Sequence, residues 1–340
     1  MTFGTRVTTV TQDKLLPKVA DSVLNSNVLA TIILRNPKKW TGENLKAPVK
    51  ISKNTNSGSF DGFDTFATTA SDTRKNLQYD PRFFRQTISL PLTEISVNLT
   101  AEKVIDLIAV EMESSAEDMA DSVGSLFYGD GTGNSNKDFL GLGALVDDGT
   151  NVATIGGLSR ATYTTLKSTL TASGGTLTLA KMATLYNAIT SGTQKPTMAM
   201  ASEAVFSLYE ELLEPRNIIN NVPLKKGEGM SGQAGFTSLM YKGVPVLMDE
   251  KQTAQRLDFL NENFLSWHGL PVAMTEPVKY APELIDGNDY GEVIRNLGFS
   301  WSGWIKPSNA AAIIGHIYLG GNFITRNPKR HGALTGITGV

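Results

Sequence analysis

The sequence contains no cysteine and only three histidines among its 340 residues. Without a thiol there is no disulfide, no thiolate nucleophile and no cysteine metal site. The histidines His268, His316 and His331 lie far apart in the sequence, so no two of them form a metal-binding pair one helical turn apart. These absences remove several common kinds of catalytic and metal site.

Long hydrophobic runs and an excess of one charge are also missing. The chain carries 31 Lys+Arg against 33 Asp+Glu, a net charge of −2, which gives no overall argument for binding nucleic acid or an anionic membrane. The most apolar late stretch, 310–319, is too short to cross a bilayer. The N-terminus lacks the apolar core of a signal peptide. We therefore expect a soluble, non-exported protein with no membrane contact.

The strongest periodic signal is an amphipathic helix over residues 100–128. Apolar side chains recur at helical spacing from Val104 to Phe127, and Thr100 is a suitable N-cap. We interpret the other side as a solvated face rather than as a pair of carboxylates for acid–base chemistry. Its acids are Glu102, Asp106, Glu111, Glu113, Glu117, Asp118 and Asp121.

Two different patterns precede this helix. The first 60 residues include an N-terminal arm with a short apolar helix that is predicted to end before Pro37. From Ala47 to Leu99 the pattern predicts β structure, with apolar residues alternating over 88–92 and again, out of phase, over 95–99. The change of phase next to Pro91 predicts a bulge or bend between two strand segments.

Three phenylalanines interrupt the polar, glycine-containing part of this β region. A segment of that composition cannot bury three aromatic rings by itself, so the rings either fold back onto the body or meet a partner. We favour a partner and predict a subunit interface along this projection and its flanks. The predicted interface residues are Phe60, Phe63, Phe66, Arg74, Arg82, Arg85, Lys50 and Lys53.

The later chain predicts mixed structure. Within 140–265, "TLTLAKMATLYNAI" predicts a helix capped by Thr178, while "TMAMA" and "GVPVLMDE" predict strands. Ser202 is the expected cap of a second helix between these strands. Strands return in the last part of the chain, including one over 313–319.

The stretch "LFYGDGTGNSNKDFLGL", residues 126–142, has the composition of a binding loop but matches neither the P-loop nor the calcium-loop pattern. A phosphate-binding P-loop needs a strand before the glycines and Ser or Thr after the lysine, whereas here a helix comes first and Lys137 precedes Asp138. A calcium loop needs glycine at its sixth position and glutamate at its twelfth, and both are missing. We interpret the stretch as a turn in which Gly129 caps the helix in a left-handed conformation.

No other pattern predicts a catalytic, cofactor or metal site. The nucleophile motif GxSxG is absent. We expect His316 to be packed within a strand, His331 to be solvated, and Arg160 to order the element after it rather than bind a substrate. Two basic clusters lack interleaved aromatics, so they predict either non-specific phosphate contact or pairing with acidic helices of neighbouring subunits. The clusters contain Arg35, Lys38, Lys39, Arg326, Lys329 and Arg330.

Taken in order, the arm, projection, long helix, glycine turn, mixed region and returning strands resemble tailed-bacteriophage major capsid proteins of the Hong Kong 97 fold. The segments that carry the resemblance are "LFYGDGTGNSNKDFLGL", "GLSRATY", "GVPVLMDE" and "DFLNENFLSWHG", none of them catalytic. The resemblance implies an α+β fold in four parts. These are an N-terminal arm (1–44), an extended E-loop hairpin (45–98), a peripheral domain (99–139 and 271–340) with its spine helix (100–128), and an axial α/β domain (140–270).

The same resemblance implies a structural role. The chain would assemble as hexamers and pentamers into an icosahedral shell around the double-stranded DNA of a phage, contacting the DNA non-specifically. A separate scaffolding protein, a portal and a decoration protein would be further partners, with no cofactor, and the shell would form in the host cytoplasm. Because the projection starts near residue 45, we expect either that separate scaffold or a chain numbered from its mature start.

Two alternatives stay open. An encapsulin-like compartment shell has the same fold and encloses cargo proteins instead of a genome. A hydrolase is the more distant alternative, because it needs a convergent set of polar side chains that the sequence does not display.

Overall fold

The computed structural model describes residues 27–66, 68–97, 101–172, 174–213, 238–272 and 297–340. The helices of these parts are α1 (Val28–Leu34), α2 (Leu92–Val97), α3 (Ala101–Tyr128), α4 (Leu179–Ile189) and α5 (Glu203–Leu213). Single helical turns are Gly133–Asn136, Leu142–Leu145, Thr164–Leu166, Glu262–Phe264 and Pro328–Arg330.

The same described ranges contain seventeen strands. They are β1 (Lys38–Lys39), β2 (Leu45–Lys50), β3 (Arg74–Tyr79), β4 (Arg82–Pro91), β5 (Thr154–Ile155), β6 (Leu158–Ser159), β7 (Thr169–Thr171), β8 (Gly175–Thr176), β9 (Met198–Ala201), β10 (Ser238–Tyr241), β11 (Val244–Met248), β12 (Leu257–Leu260), β13 (Leu265–Gly269), β14 (Phe299–Ile305), β15 (Ala312–Thr325), β16 (Gly332–Leu334) and β17 (Ile337–Gly339).

The long helix predicted over 100–128 is confirmed as α3. Its 28 residues give a rod about 42 Å long at 1.5 Å per residue. Thr100 and the side chain of Val104 lie outside the described residues. Farther along, the predicted apolar positions form a buried stripe, which comprises Met112, Ala116, Met119, Val123 and Phe127.

The strand predicted over 95–99 is wrong for residues 95–97, because residues 92–97 form helix α2, and residues 98–99 lie outside the described part of the chain. Strand β4 ends at Pro91, and Leu92 closes the ladder by donating its N–H to the carbonyl of Ala311 at 2.9 Å. Glu94 then lies in the first helical turn, where a negative charge is favourable. A short alternating apolar run fits both kinds of element, so its period did not decide between them.

The first sheet contains five strands in the order β1-β13-β15-β14, with β4 also paired to β15. Strand β15 is 14 residues long, and its antiparallel pairing with β4 runs from Ala312↔Pro91 to Gly321↔Arg82. Helix α3 packs on this sheet through Phe127, whose ring centroid lies 5.5 Å from Trp267 and 5.7 Å from Phe323. The predicted strand over 313–319 is thus confirmed as the N-terminal part of β15.

The second sheet contains six strands in the order β10-β11-β9-β12-β16-β7. Helices α4 and α5 pack on it in a separate apolar cluster that includes Met182, Leu185 and Phe206. Both predicted strands are confirmed, as β9 and β11. Thr178 caps α4 as predicted, its hydroxyl accepting from the N–H of Lys181 at 3.2 Å. Ser202 precedes α5 in the predicted place, but its hydroxyl makes no hydrogen bond, so the predicted side-chain cap is wrong.

The two sheets exchange strands near the end of the chain. Strand β13, residues 265–269, belongs to the first sheet, whereas β16, residues 332–334, joins the second. Each sheet therefore contains strands from both sides of residue 270, the predicted limit between the axial and peripheral domains. The domain boundaries remain a prediction. In the N-terminal arm, α1 confirms the predicted apolar helix, and residues 1–26 lie outside the described part. None of the described helices combines the length and apolar character of a membrane span.

Candidate assembly surfaces

The projection is an antiparallel hairpin whose base belongs to the core of its own chain. Strands β2 and β3 pair from Leu45↔Tyr79 to Lys50↔Arg74. One side of the hairpin is buried, and Gln78 donates its N–H to the carbonyl of Gly156 at 2.9 Å. The buried side chains are Ala47, Val49, Leu77 and Tyr79. This packing fixes the direction in which the rest of the hairpin leaves the body.

The end of the hairpin exposes the three predicted phenylalanines, which we call the phenylalanine tip (Phe60, Phe63 and Phe66). Phe60 and Phe66 are 69% and 67% exposed, and Phe63 is fully exposed. Phe60 and Phe66 touch only edge to face, with ring centroids 5.2 Å apart. Within the single chain, then, the tip does not fold back onto the body. Burying each ring would stabilise an assembly by about 1.5–3 kcal/mol.

The predicted basic interface residues divide into two groups. Lys50, Lys53, Arg74 and Arg85 are exposed. Arg82 is instead half-buried and donates from Nη1 to the carbonyl of Gly131 at 2.6 Å and to that of Asp138. Burial lowers the pKa of Arg82, against the opposing effect of Asp80 and Asp138. Arg82 therefore stabilises the glycine-rich turn of its own chain.

That turn does not use the predicted cap. Gly129 is not in the left-handed region, so this prediction is wrong. Positive φ angles occur farther on, at Gly131 (77°) and at three successive residues, 134–136. A Cβ on Gly141 would lie 2.5 Å from the carbonyl oxygens of Leu126 and Gly129, so Gly141 packs directly on the end of α3. Close backbone packing, rather than a left-handed Gly129, ends the helix and redirects the chain.

The carboxylates of the turn accept hydrogen bonds from other residues of the same turn. Asp130 accepts from the N–H and hydroxyl of Thr132 at 2.9 and 2.7 Å, and these bonds lower the pKa of Asp130. Asp138 accepts from the side-chain amide of Asn134 at 2.6 Å. Among the described residues, no three acids or histidines are grouped to hold a metal. The arrangement is that of a structural turn.

The two histidines His331 and His316 have different surroundings in the fold. His331 is completely buried, where its imidazole contacts the hydroxyl of Thr325 at 3.0 Å and accepts from the N–H of Asn261 at 3.3 Å. The predicted solvation of His331 is therefore wrong, and burial lowers its pKa to about 3. His316 lies half-exposed on β15, 3.0 Å from the hydroxyl of Thr87. Burial and then the charge of Arg85 lower the pKa of His316.

Arg160 is a structural centre rather than a substrate ligand. Its guanidinium is fully buried and donates to the carbonyls of Ala144 at 2.6 Å, Val152 at 2.7 Å and Leu166 at 3.3 Å. It also contacts the carboxylate of Asp147 at 3.3 Å. Burial lowers the pKa of Arg160, and Asp147 opposes that shift. Leu166 ends the helical turn that follows, which is the ordering role predicted for this residue.

The two basic clusters approach each other in the fold. Lys38 lies in β1 beside His268, and the pKa of Lys38 is lowered first by burial and then by the charge of Arg326. Lys39, Lys329 and Arg35 are exposed. Arg330 is half-buried and donates to the carbonyl of Ile189 at 3.3 Å. Five of the six cations are thus exposed, and Arg330 is half-buried.

The exposed side of α3 carries acid. Glu117, Asp118 and Asp121 are exposed, whereas the side chains of Glu102, Asp106 and Glu113 lie outside the described part. Asp121 forms an ion pair with Lys251, which follows β11. The last turns of the helix therefore present a solvated acidic surface, as predicted.

Sequence reasoning did not single out the buried carboxylate of Asp249. Its Oδ2 accepts from the N–H of Leu29 at 3.1 Å and from the hydroxyl of Tyr128 at 2.7 Å. It thereby connects α1, the end of α3 and the second sheet. The residues lie 220 and 121 positions from Asp249, and no local signal in the sequence marks such a junction.

The fold as a whole matches solved shell proteins. The capsid asymmetric unit of cyanophage A-1(L) aligns with TM-score 0.65 and 14% identity over 91% of this chain and 92% of that chain. The holo-SrpI encapsulin complex from Synechococcus elongatus PCC 7942 aligns with TM-score 0.54 and 12% identity over 89% and 86%. The capsid of a native GTA particle aligns with TM-score 0.54 and 10% identity over 91% of each chain.

Sequence comparison adds nothing to these matches, because no family model and no curated protein matches the chain. The structural matches extend over nearly the whole length of both chains in each pair. An identity this low establishes architecture and leaves function to the surfaces. The chain has the Hong Kong 97 fold, as the sequence resemblance predicted.

Proposed function

We propose that this chain is the major capsid protein of a tailed bacteriophage, a structural subunit that assembles into an icosahedral shell around double-stranded DNA. The phenylalanine tip carries the proposal. Three aromatic rings stand in solvent at the end of a hairpin whose base is anchored in its own core. Exposed aromatic rings do not stabilise a monomer that functions alone, whereas in an assembly they can be buried against another subunit.

The tip supports a particular kind of assembly. A projection on one subunit that contacts the body of the next makes a heterologous interface, and such interfaces close into rings when the rotation permits. Rings of six and five subunits, joined by the same contacts, close into a shell. Each contact is modest, but every subunit both gives and receives a tip, so the contacts stabilise the shell collectively.

Packaged DNA is the proposed content. The exposed cations Lys39 and Lys329, with Arg35 and the neighbouring pair Lys38 and Arg326, provide positive charge without aromatic side chains for base stacking. Such charges bind phosphates without sequence preference and lose affinity as salt rises. A separate scaffolding protein, a portal and a decoration protein complete the proposed set of partners. The mature location is the virion, and assembly takes place in the host cytoplasm.

The described polar side chains support a structural rather than an enzymatic role. Asp130, Asp138 and Arg160 are engaged in holding turns together. His331 is enclosed by Thr325 and Asn261, away from solvent. A hydrolase needs its nucleophile, base and orienting carboxylate to converge at an accessible point. We therefore propose that the chain is not an enzyme.

A compartment shell is the second candidate function. The match to the SrpI encapsulin complex, at TM-score 0.54, favours it directly. Both functions need the same tip and the same heterologous contacts, so they differ in the contents of the particle. Nuclease-protected DNA inside particles from producing cells supports the phage capsid, whereas a single co-purifying cargo protein supports the compartment.

The first experiment asks whether the chain forms shells at all. Purified protein is concentrated and analysed by sedimentation velocity and negative-stain electron microscopy, with a dilution series as the control for reversible association. We expect closed particles of uniform size above a threshold concentration. A chain that stays monomeric at every concentration, and that is also absent from particles isolated from producing cells, overturns the proposed function, for the phage capsid and for the compartment alike.

A further inference from the structure

One face of the first sheet is open to solvent and carries aromatic rings. Along β4 and the first part of β15 the side chains alternate between buried and more exposed positions, because the opposite face of the sheet belongs to the core. On the open face, Phe83 pairs with Gly320 in the antiparallel register, and Arg85 pairs with Tyr318. His316 lies two residues before Tyr318 along β15. We call Phe83, Arg85, His316 and Tyr318 the aromatic face.

The ring of Phe83 lies against the backbone of β15. A Cβ on Gly320 would come within 2.8 Å of the ring carbons Cδ1 and Cε1 of Phe83, so only a glycine leaves room for the ring there. One side of the ring therefore contacts the strand, while the residue remains 50% exposed. A ring supported in this way offers a flat apolar surface that is already in position before a ligand binds.

Two further rings continue the aromatic face along β15. Tyr318 is diagonal to Phe83 across the strand pair, a placement that separates two residues by about 7–8 Å. The rings of Tyr318 and His316 lie 5.9 Å apart, and both side chains are half-exposed. Sheets that bind single-stranded RNA stack two or three bases on aromatic side chains arranged on their strands. The geometry of β4 and β15 provides the same kind of surface.

The charge of the aromatic face suits an anionic ligand. Arg85 is exposed and forms no ion pair with any residue that the structure describes. No acid lies on the open side of β4 or of its partner segment 312–320. The pKa of His316 is lowered by burial and then by the charge of Arg85, as expected beside an uncompensated cation. A ligand that fits this face therefore combines flat apolar groups with negative charge.

We propose that the aromatic face binds single-stranded nucleic acid, with bases stacked on Phe83 and Tyr318 and a phosphate beside Arg85. Stacking on aromatic rings next to a cation binds single strands without sequence preference. The inference goes beyond the proposed function, because the basic clusters assigned to packaged DNA carry no aromatic rings and the bases of a duplex are already stacked on one another. A second copy of the chain fits less well. It would have to bring both an acid and a cover for separate rings, whereas every nucleotide brings a base and a phosphate.

A comparison of strands with and without bases tests the stacking directly. Dilute full-length protomers are titrated, at near-physiological salt, into a labelled thymidylate strand of about 12 nucleotides, a length within the usual range of site sizes. The matched probe is an abasic strand with the same number of phosphates, and fluorescence anisotropy measures both affinities. We expect the thymidylate strand to bind at least about tenfold more tightly than the abasic strand. A uridylate strand of the same length shows whether DNA or RNA is preferred.

Substitutions locate the binding on the sheet. We expect Phe83→Leu and Tyr318→Leu, which keep apolar side chains but remove the rings, each to weaken thymidylate binding about fivefold or more and to leave abasic binding unchanged. Phe63→Leu removes an exposed ring outside the sheet and should bind like wild type. Lys329→Gln, in a basic cluster, should weaken both strands by the same factor. Circular dichroism checks that every variant is folded.

Three results overturn the inference. Equal binding of the thymidylate and abasic strands would show that charge alone holds the ligand. Wild-type binding by a variant that combines Phe83→Leu with Tyr318→Leu would place the site elsewhere. Unchanged binding together with a raised threshold for shell formation in the ring variants would assign the face to a contact between copies, the role predicted for Arg85. Shell formation by the wild-type chain is measured separately, so failure of this inference is distinct from failure of the proposed function.

Discussion

The hydroxyl of Tyr128, at the end of the long helix, donates a 2.7 Å hydrogen bond to Oδ2 of Asp249, 121 residues later. The same oxygen accepts from the N–H of Leu29. One carboxylate thus joins the N-terminal helix, the spine helix and the second sheet inside the protein. Burial and then the Asp249 charge raise the pKa of Tyr128 well above its usual value, so its hydroxyl stays a donor at every physiological pH.

Replacing Tyr128 by phenylalanine should reduce stability through this one bond. We expect Tyr128→Phe to lower the free energy of unfolding by about 1.5–3 kcal/mol, because a hydrogen bond to a buried charge is lost. Urea unfolding of dilute protomer measures the change. Tyr318→Phe, at a half-exposed position on β15, is the matched control and should stay within about 0.5 kcal/mol of wild type. Equal losses in the two variants would contradict the special role of Asp249.

The phenylalanine tip should matter for assembly and not for folding. We expect replacement of Phe60, Phe63 and Phe66 by serine to leave the protomer's unfolding curve unchanged, since the rings are already in water. Shell formation should be lost, because up to about 1.5–3 kcal/mol per ring is removed from each contact. Analytical ultracentrifugation and electron microscopy read both properties.

The matched control for the tip removes polar groups from the same loop. Ser57, Ser59 and Thr68 are exposed beside the phenylalanines, and their replacement by alanine should leave assembly intact. Normal shells from the serine-for-phenylalanine variant would show that the tip is not an interface.

Buried His331 predicts a loss of stability in acid. Its folded pKa of about 3 lies below its ordinary value of 6.5, so the fold favours the neutral ring and the unfolded chain takes up the proton. The contribution is complete above pH 6.5 and falls by about 1.4 kcal/mol per pH unit as the pH drops toward 3.

The His331 effect is isolated by comparing variants across pH. We expect His331→Gln to be less stable than wild type at neutral pH but to lose less stability between about pH 7 and about pH 4.5. His316→Gln, at a half-exposed position, should retain most of the wild-type slope. Urea midpoints that decline in parallel for wild type and His331→Gln would show that this ring does not govern the acid response.

Arg160 predicts the most damaging conservative substitution. Lysine cannot reproduce the fork that reaches the buried carbonyls of Ala144, Val152 and Leu166, and these carbonyls would lose their donor. We expect Arg160→Lys to cost about 3–5 kcal/mol, read as a fall in melting temperature and soluble yield. Arg85→Lys, on the exposed face of β4, is the control and should melt with wild type.

Elements with a local cause were predictable from the sequence. Helix α3 follows from an apolar period sustained over 28 residues, and helix α4 begins where Thr178 can cap it. Segment 92–97 was not predictable, because its short alternating pattern suits a strand until the ladder bond from Leu92 to Ala311 ends the pairing. Local pattern fixes an element only where the pattern is long or a cap is present.

The missed parts of the candidate surfaces depend on distant contacts. His331 sits in a basic, glycine-rich tail that resembles a solvated segment, yet β16 carries it into the second sheet, where Asn261 and Thr325 enclose it. Arg82, whose interface role stays a prediction, also donates to the carbonyl of Gly131, a contact 49 residues away that no local pattern indicates. The exposed phenylalanines were predictable because their local composition offers no cover at all.

The base of the hairpin is buried in its own chain, whereas its aromatic end is exposed to water before any shell has formed. Newly made chains expose the apolar phenylalanine tip to one another, and the tips can associate non-specifically as well as in the ordered contact. Free subunits that accumulate will therefore aggregate. The rate of assembly must therefore match the rate of synthesis. Overproducing the chain alone, faster than particles close, should yield precipitate in place of particles.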